Sequence, residues 1–141
     1  MKLCTDLQYT HTDGGAFQGG MKAIRLSEEV AELLFHNKKA IVGACGSVND
    51  IGTSWEWFTD PSQKIPRLRA VEFVALTGDK AIYTSSNLNN WVRVDSPYYA
   101  IGSGKQYAIA ALEAGKSPKK AVEIACKYDV YSGKGVAELK V

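Results

Sequence analysis

Two groups of residues in this 141-residue sequence have the types and spacing to do chemistry. Gly102-Ser103-Gly104 sets a hydroxyl between two glycines, where the strand-like stretch Tyr98 to Ile101 gives way to a helical one. A serine so placed sits near exposed backbone N–H groups at the positive end of a helix; an ordinary N-cap accounts for the same pattern. Asp129-Val130-Tyr131-Ser132-Gly133 spaces a carboxylate and a hydroxyl three residues apart, just ahead of the last strand-like stretch. A turn there brings both groups together to hold a cation or an amine, or to bond with their own backbone.

The commoner hydrolytic and metal chemistries find no such support. A serine nucleophile elbow needs the longer G-x-S-x-G pattern and a histidine partner, and both histidines, His11 and His36, lie far upstream of Ser103. The three cysteines, Cys4, Cys45 and Cys126, are odd in number and show no CxxC spacing. Neither a zinc site nor a disulfide framework is expected from them, and no other cofactor is expected. Small thiols in a reducing compartment are the ordinary reading.

The elements that must position these groups follow from pattern and punctuation. Lys2 to Thr10 alternates as a strand, Asp13-Gly14-Gly15 and Gly19-Gly20 mark a loop, and Met21 to Leu26 is a second short strand. Ser27 caps a short helix with Glu28 and Glu29 in its first turn. Lys39 to Gly46 is an apolar run suited to a buried strand, and Asn49 to Phe58 to a helix with Ile51, Trp55 and Phe58 on one side. Arg69 to Thr77, Lys80 to Ser85, Trp91 to Asp95 and Tyr98 to Ile101 read as strands, with Gly78-Asp79 as a hairpin signal. Gly104 to Glu113 is a helix stopping before Gly115, and Ser117-Pro118 opens another that runs to about Tyr128. Val136 to Val141 closes as a strand. Strands, two adjacent helices and a last strand, without a βαβ rhythm, predict an α+β fold with antiparallel sheets.

Set in order, these segments resemble one family. Tyr98 to Leu112, YYAIGSGKQYAIAAL, resembles the G-S-G segment of proteasome β-subunits and of the bacterial ATPase-capped peptidase HslV. Asp129 to Gly133 is similar to the D-x-Y-S-G motif of catalytic proteasome subunits. Asp6 and Lys22 have the spacing of that family's aspartate and catalytic lysine, and Gln8, Thr10 and Ile24-Arg25-Leu26 are similar to the HslV-like pattern around them. Asn37 to Asp50, NKKAIVGACGSVND, resembles the strand that ends in the family's glycine and small residue, here Gly46 and Ser47, with an aspartate, Asp50, four beyond the glycine. Four ordered segments are more specific than any one motif.

The resemblance implies one N-terminal-nucleophile hydrolase domain over residues 1–141: a sandwich of two antiparallel sheets flanked by helices. It implies a threonine-type peptidase subunit acting on peptides or unfolded protein, self-associated into a ring, with an ATPase unfoldase as partner. In that family an N-terminal threonine attacks the peptide carbonyl with its own α-amine as base, an amine whose ordinary pKa is roughly 8. Carried over residue by residue, Lys22 lowers the pKa of that amine and hydroxyl, and Asp6 holds Lys22 charged and oriented. Ser103, Asp129 and Ser132 position the amine and relay protons. The backbone N–H of Gly46 faces the oxyanion, and Ala44 and Ser47 contact substrate, Ala44 at the floor of the pocket for the residue before the cut.

Three departures from the family pattern bear on function. Counted by the family spacing, the nucleophile falls eleven residues before Met1, so the 141-residue chain is expected to be inactive. Removing Met1 to Leu3, or to Cys4, would free Cys4 or Thr5, but the alignment sets both in the second strand, beside Asp6. Thr53 to Arg67 has room for one short helix where the family has two long ones, a reduced helical layer. Ser27 to His36 is an insertion. The competing class is a non-catalytic structural or regulatory ring subunit of the same fold.

Composition narrows the partners. Hydrophobic residues make 45% and charged residues 23% of the chain, enough apolar surface for one core without disulfides or metals. Seventeen basic and fifteen acidic residues are scattered, with no basic block, which gives nucleic-acid binding no support. No apolar stretch reaches membrane-spanning length and no signal-peptide-like stretch follows Met1, so a cytoplasmic location is the expectation.

Overall fold

A computed structural model of the chain describes residues 1–6 and 22–141; Gln8, Thr10, His11 and the glycine-marked loop lie outside the described residues. The described chain forms two antiparallel sheets and four helices in an α+β arrangement. Strand β1 (Lys2–Asp6) pairs with β7 (Val136–Lys140), setting Lys2 opposite Lys140 and Asp6 opposite Val136. The second sheet is a meander of five strands in chain order: β2 (Ala23–Arg25), β3 (Ala40–Gly46), β4 (Val71–Thr77), β5 (Ile82–Ser85) and β6 (Val92–Arg93). Helices α1 (Glu28–Phe35) and α2 (Val48–Trp57) cover one side; α3 (Lys105–Glu113) and α4 (Pro118–Tyr128) cover the other. No described helix is long and apolar enough to cross a membrane.

Strand β3 explains the layering. Its first five residues are all buried, as a strand covered on both faces requires. Val42 and Ala44 face the core under α1 and α2, with Phe73, Phe58 and Trp57. Ile41 joins Leu3, Val74, Leu76 and Ile82 in a second core between the two sheets. Gly43 belongs to that face too: a Cβ there would lie 3.0 Å from Leu3 Cδ2, so the missing side chain lets β1 approach.

The helix ends match their sequence signals. Ser27, Ser47 and Ser117 each accept a backbone N–H three residues on, and Pro118 occupies the first turn of α4. The segment Ser27 to His36 has a structural part to play. It carries Phe35, whose ring lies 5.0 Å from Trp91 and 5.2 Å from Tyr83, into the core under α1 and α2. His36 ends α1 in the left-handed region, with φ 54°.

Two expected strands differ in the structure. Tyr98 to Ile101 is not a strand: Pro97 cannot donate to a ladder, and the segment instead runs along a cleft toward Gly102, which turns at φ 99°. Trp91 to Asp95 contributes only Val92 and Arg93 to the sheet, as an exposed edge against Thr84 and Tyr83. Helix α2 also buries Trp57 rather than relying on Trp55 alone.

Candidate functional site

A cleft of 520 Å³ opens between the layers, walled by β1, by Gly43, Leu76 and Ile82 of the larger sheet side, and by α3 and α4. Strand β7 takes one edge of β1, and the other is unpaired among the described residues. Asp6, Lys22, Ala44, Ser103 and Ser132 line it. Gly46, Ser47 and Asp129 stand just outside that lining.

Lys22 precedes β2, and its carbonyl accepts the Ala44 N–H at 2.8 Å. Its ammonium lies 2.6 Å from Asp6 Oδ1, with both side chains only 14% exposed. The other carboxylate oxygen of Asp6 accepts the backbone N–H of Gly133 at 2.9 Å. One carboxylate thus ties the end of β1 both to the lysine and to the turn that carries Ser132.

In that turn, Asp129 Oδ2 accepts from Ser103 Oγ at 2.6 Å and from Ser132 Oγ at 2.7 Å, and Oδ1 accepts from Tyr131 N at 3.3 Å. Ser103 is therefore not the helix cap its pattern allows: Gly104 is the N-cap of α3, without a side-chain bond, and the Ser103 hydroxyl reaches across to the end of α4. With both hydroxyl protons committed to Asp129, both serine oxygens keep their lone pairs for a donor. A carboxylate flanked by two such oxygens is suited to an ammonium. Gly104 permits the convergence, since a Cβ there would lie 3.0 Å from Ser132 Oγ and 3.3 Å from Asp129 Oδ2.

The hydrogen bonds from Ser103, then Ser132, hold the Asp129 carboxyl below the usual carboxylate range. A depressed folded pKa adds stability above the unfolded value, about 3.9, and that gain disappears as pH falls through the folded value. The stability difference between the wild type and Asp129→Asn should therefore be present at pH 7 and shrink on acidification below about pH 4. Urea unfolding at a series of pH values measures it. A difference independent of pH would show that the charge on Asp129 does not matter.

Raised pKa values disfavour the thiolate at all three cysteines. Burial pushes Cys4 and Cys45 up to about 11, and raises Cys126, which also feels the negative charge of Asp6. Cys4 and Thr5 are held within β1, opposite Glu138 and Ala137. Thr5 Oγ1 is buried without a hydrogen-bond partner among the described residues.

Gly46 ends β3 at φ 117° and is exposed. Gly46 lies two residues beyond Ala44 in β3, the residue whose N–H donates to the Lys22 carbonyl. Ala44 lines the cleft, yet its methyl belongs to the core under α1 and α2. Ser47 uses its hydroxyl to cap α2, accepting from Asp50 N at 3.4 Å. Sequence reasoning missed the Gly133 N–H, whose one signal was its place as the last residue of the Asp129 motif. No group of His, Cys, Asp and Glu suited to a metal ion occurs among the described residues.

No family model matches the sequence, and no curated protein does. Solved structures match its fold. Thiobacillus denitrificans BPH, alone and in complex with epoxomicin, is 15% identical, covers 98% of this chain and 90% of its own, and superposes with a TM-score of 0.71. HslV from Trypanosoma brucei is 20% identical over 98% of this chain and 91% of its own, with a TM-score of 0.62. The fold is HslV/proteasome-like.

Proposed function

We propose that the chain is a subunit of an HslV/proteasome-type threonine peptidase, hydrolysing peptide bonds in peptides or unfolded protein. The observation that carries this is the convergence of the Lys22–Asp6 pair with Ser103, Asp129 and Ser132, contributed by separate elements. In the mechanism, a strand along the open edge of β1 brings a threonine to these groups. Asp129 and the two serine oxygens hold its α-amine. Lys22 lowers the pKa of the hydroxyl, and the amine takes the hydroxyl proton as oxygen attacks the carbonyl. Gly46 N–H meets the oxyanion. The amine then protonates the leaving group, and water releases the acyl-enzyme by the same base.

Self-association into a ring, an ATPase unfoldase as partner and a cytoplasmic location belong to the same reading. Its residue count puts the attacking threonine sixteen residues before Asp6. The test compares the 141-residue chain with a chain extended by its upstream-encoded residues and processed to that threonine. The extended form should cleave fluorogenic peptides and take an epoxomicin label at its first residue, and the 141-residue form should do neither. Labelling of the 141-residue form at another residue would overturn the assignment of the nucleophile. A folded, extended form without activity would move the chain to the non-catalytic ring subunits.

A further inference from the structure

We infer that Asp50 is a positioning residue that fixes the Gly46 N–H at the candidate oxyanion site through the backbone of Arg69 and Ala70. The inference rests on the role proposed for Gly46 above.

Asp50 is 9% exposed, an unusual place for a carboxylate, and no Lys or Arg ion pair among the described residues accounts for it. Its Oδ2 accepts two backbone donors, Arg69 N and Ala70 N, each at 2.8 Å. The carbonyl of Ala70 is held as well, accepting Ser47 N at 2.7 Å. Ala70 is thus bonded on its N–H to the first turn of α2 and on its C=O to the residue after Gly46. Asp50 and Ser47 stand three apart at the start of α2, where a capping box would turn the acidic side chain back to the cap's own N–H. Here the Ser47 hydroxyl still caps Asp50 N, but Ala70 O takes the Ser47 N–H and frees the Asp50 carboxylate to hold Arg69 and Ala70.

Gly46 is the residue this arrangement constrains. A Cβ at Gly46 would lie 2.3 Å from Ala70 O and 2.9 Å from Val71 Cα, so the 69–71 backbone passes directly against it. With Val71 paired to Gly46 in the ladder and Ala70 O bonded to Ser47 N, the position of 69–70 holds the Gly46–Ser47 peptide and, with it, the Gly46 Cα to which the N–H group is attached. The carboxylate stands 19 and 20 residues away in sequence from the amides it holds, so it couples α2 to the entry of β4 rather than serving its own helix. A donor aimed at a developing charge must be held in place before reaction, and small displacements weaken it.

Amide hydrogen exchange on the folded 141-residue chain tests the coupling. Asp50→Ala should speed exchange at Ser47 and Ala70 by about thirtyfold relative to Ala44, which donates to Lys22 on the other edge of β3. Asp50→Asn keeps an acceptor oxygen for the two amides and should restore exchange to within about threefold of wild type. Asp50→Leu deletes the acceptors while filling the volume, and replaces the alanine variant if that does not fold. Ser47 exchanging at the wild-type rate in the alanine or leucine variant overturns the inference, as does an Asp50→Asn variant that exchanges as fast as Asp50→Ala. In the peptide-cleaving extended form, Asp50→Leu should lower kcat at least tenfold with KM within threefold, and Asp50→Asn should recover most of it. An unchanged kcat there overturns the positioning role. If the extended parent is itself inactive, the proposed function fails and the exchange rates alone decide the coupling.

Discussion

Asp6→Ala should lower the free energy of unfolding by about 3 kcal/mol, the range for removing one partner of a buried pair. The mutation leaves the Lys22 ammonium, 14% exposed, without the carboxylate 2.6 Å away, and it also strips the Gly133 N–H of its acceptor. Both losses sit at the junction of β1 with the turn before β7, where the small sheet has only two strands among the described residues to share them. Asp6→Asn separates the contributions. It keeps an oxygen for Gly133 but no charge for Lys22, so its loss should fall between wild type and alanine. For a chain of this length the alanine variant should melt about 10 °C lower. Urea unfolding of the three proteins at pH 7 measures the free energies. A loss under about 1 kcal/mol for alanine would mean that the pair behaves as a solvated surface bridge.

What the sequence made legible, and what it did not, divides by the range of the contacts involved. Helix α4 begins where Ser117-Pro118 requires and ends at Tyr128, because a cap and a first-turn proline are local signals. The pairing of Asp6 with Lys22 was implied by the resemblance alone, and the burial of both side chains is a property of the fold. Ser103 shows the limit most clearly. Its local pattern fits an N-cap, but its hydroxyl bonds to Asp129, 26 residues on, because α3 and α4 bring their ends together. Tyr98 to Ile101 has strand-like residues yet lines the cleft, since no partner strand is set beside it. The insertion at Ser27 to His36 gave no hint that Phe35 would complete an aromatic core with Tyr83 and Trp91. Ser47 was assigned to substrate by resemblance, while its hydroxyl caps α2.

The larger expected effect on activity is at Lys22. In the peptide-cleaving form, Lys22→Ala should lower kcat by at least about a thousandfold, which corresponds to about 4 kcal/mol of barrier. In the proposed mechanism the ammonium acts where the hydroxyl loses its proton, in a cleft where charge is poorly screened, so its stabilisation would be felt mainly in the transition state. KM should therefore stay within a few fold of the parent. Lys22→Ala alone is ambiguous, because it leaves Asp6 partly buried and unpaired and so weakens the fold at the same place. A double variant, Asp6→Asn with Lys22→Met, removes that ambiguity: no charge is left uncompensated, the methionine fills the lysine stem's space, and the asparagine still accepts from Gly133. It should be more stable than Asp6→Ala and nevertheless remain as inactive as Lys22→Ala. Lys22→Arg keeps the charge, but its planar fork cannot reproduce the single close contact with Asp6 Oδ1, so its kcat should fall in between. Initial rates with a fluorogenic peptide, taken alongside the unfolding curves, distinguish these outcomes. A double variant retaining kcat within tenfold of the parent would remove Lys22 from the chemistry and leave the ion pair as a structural tie between β1 and β2.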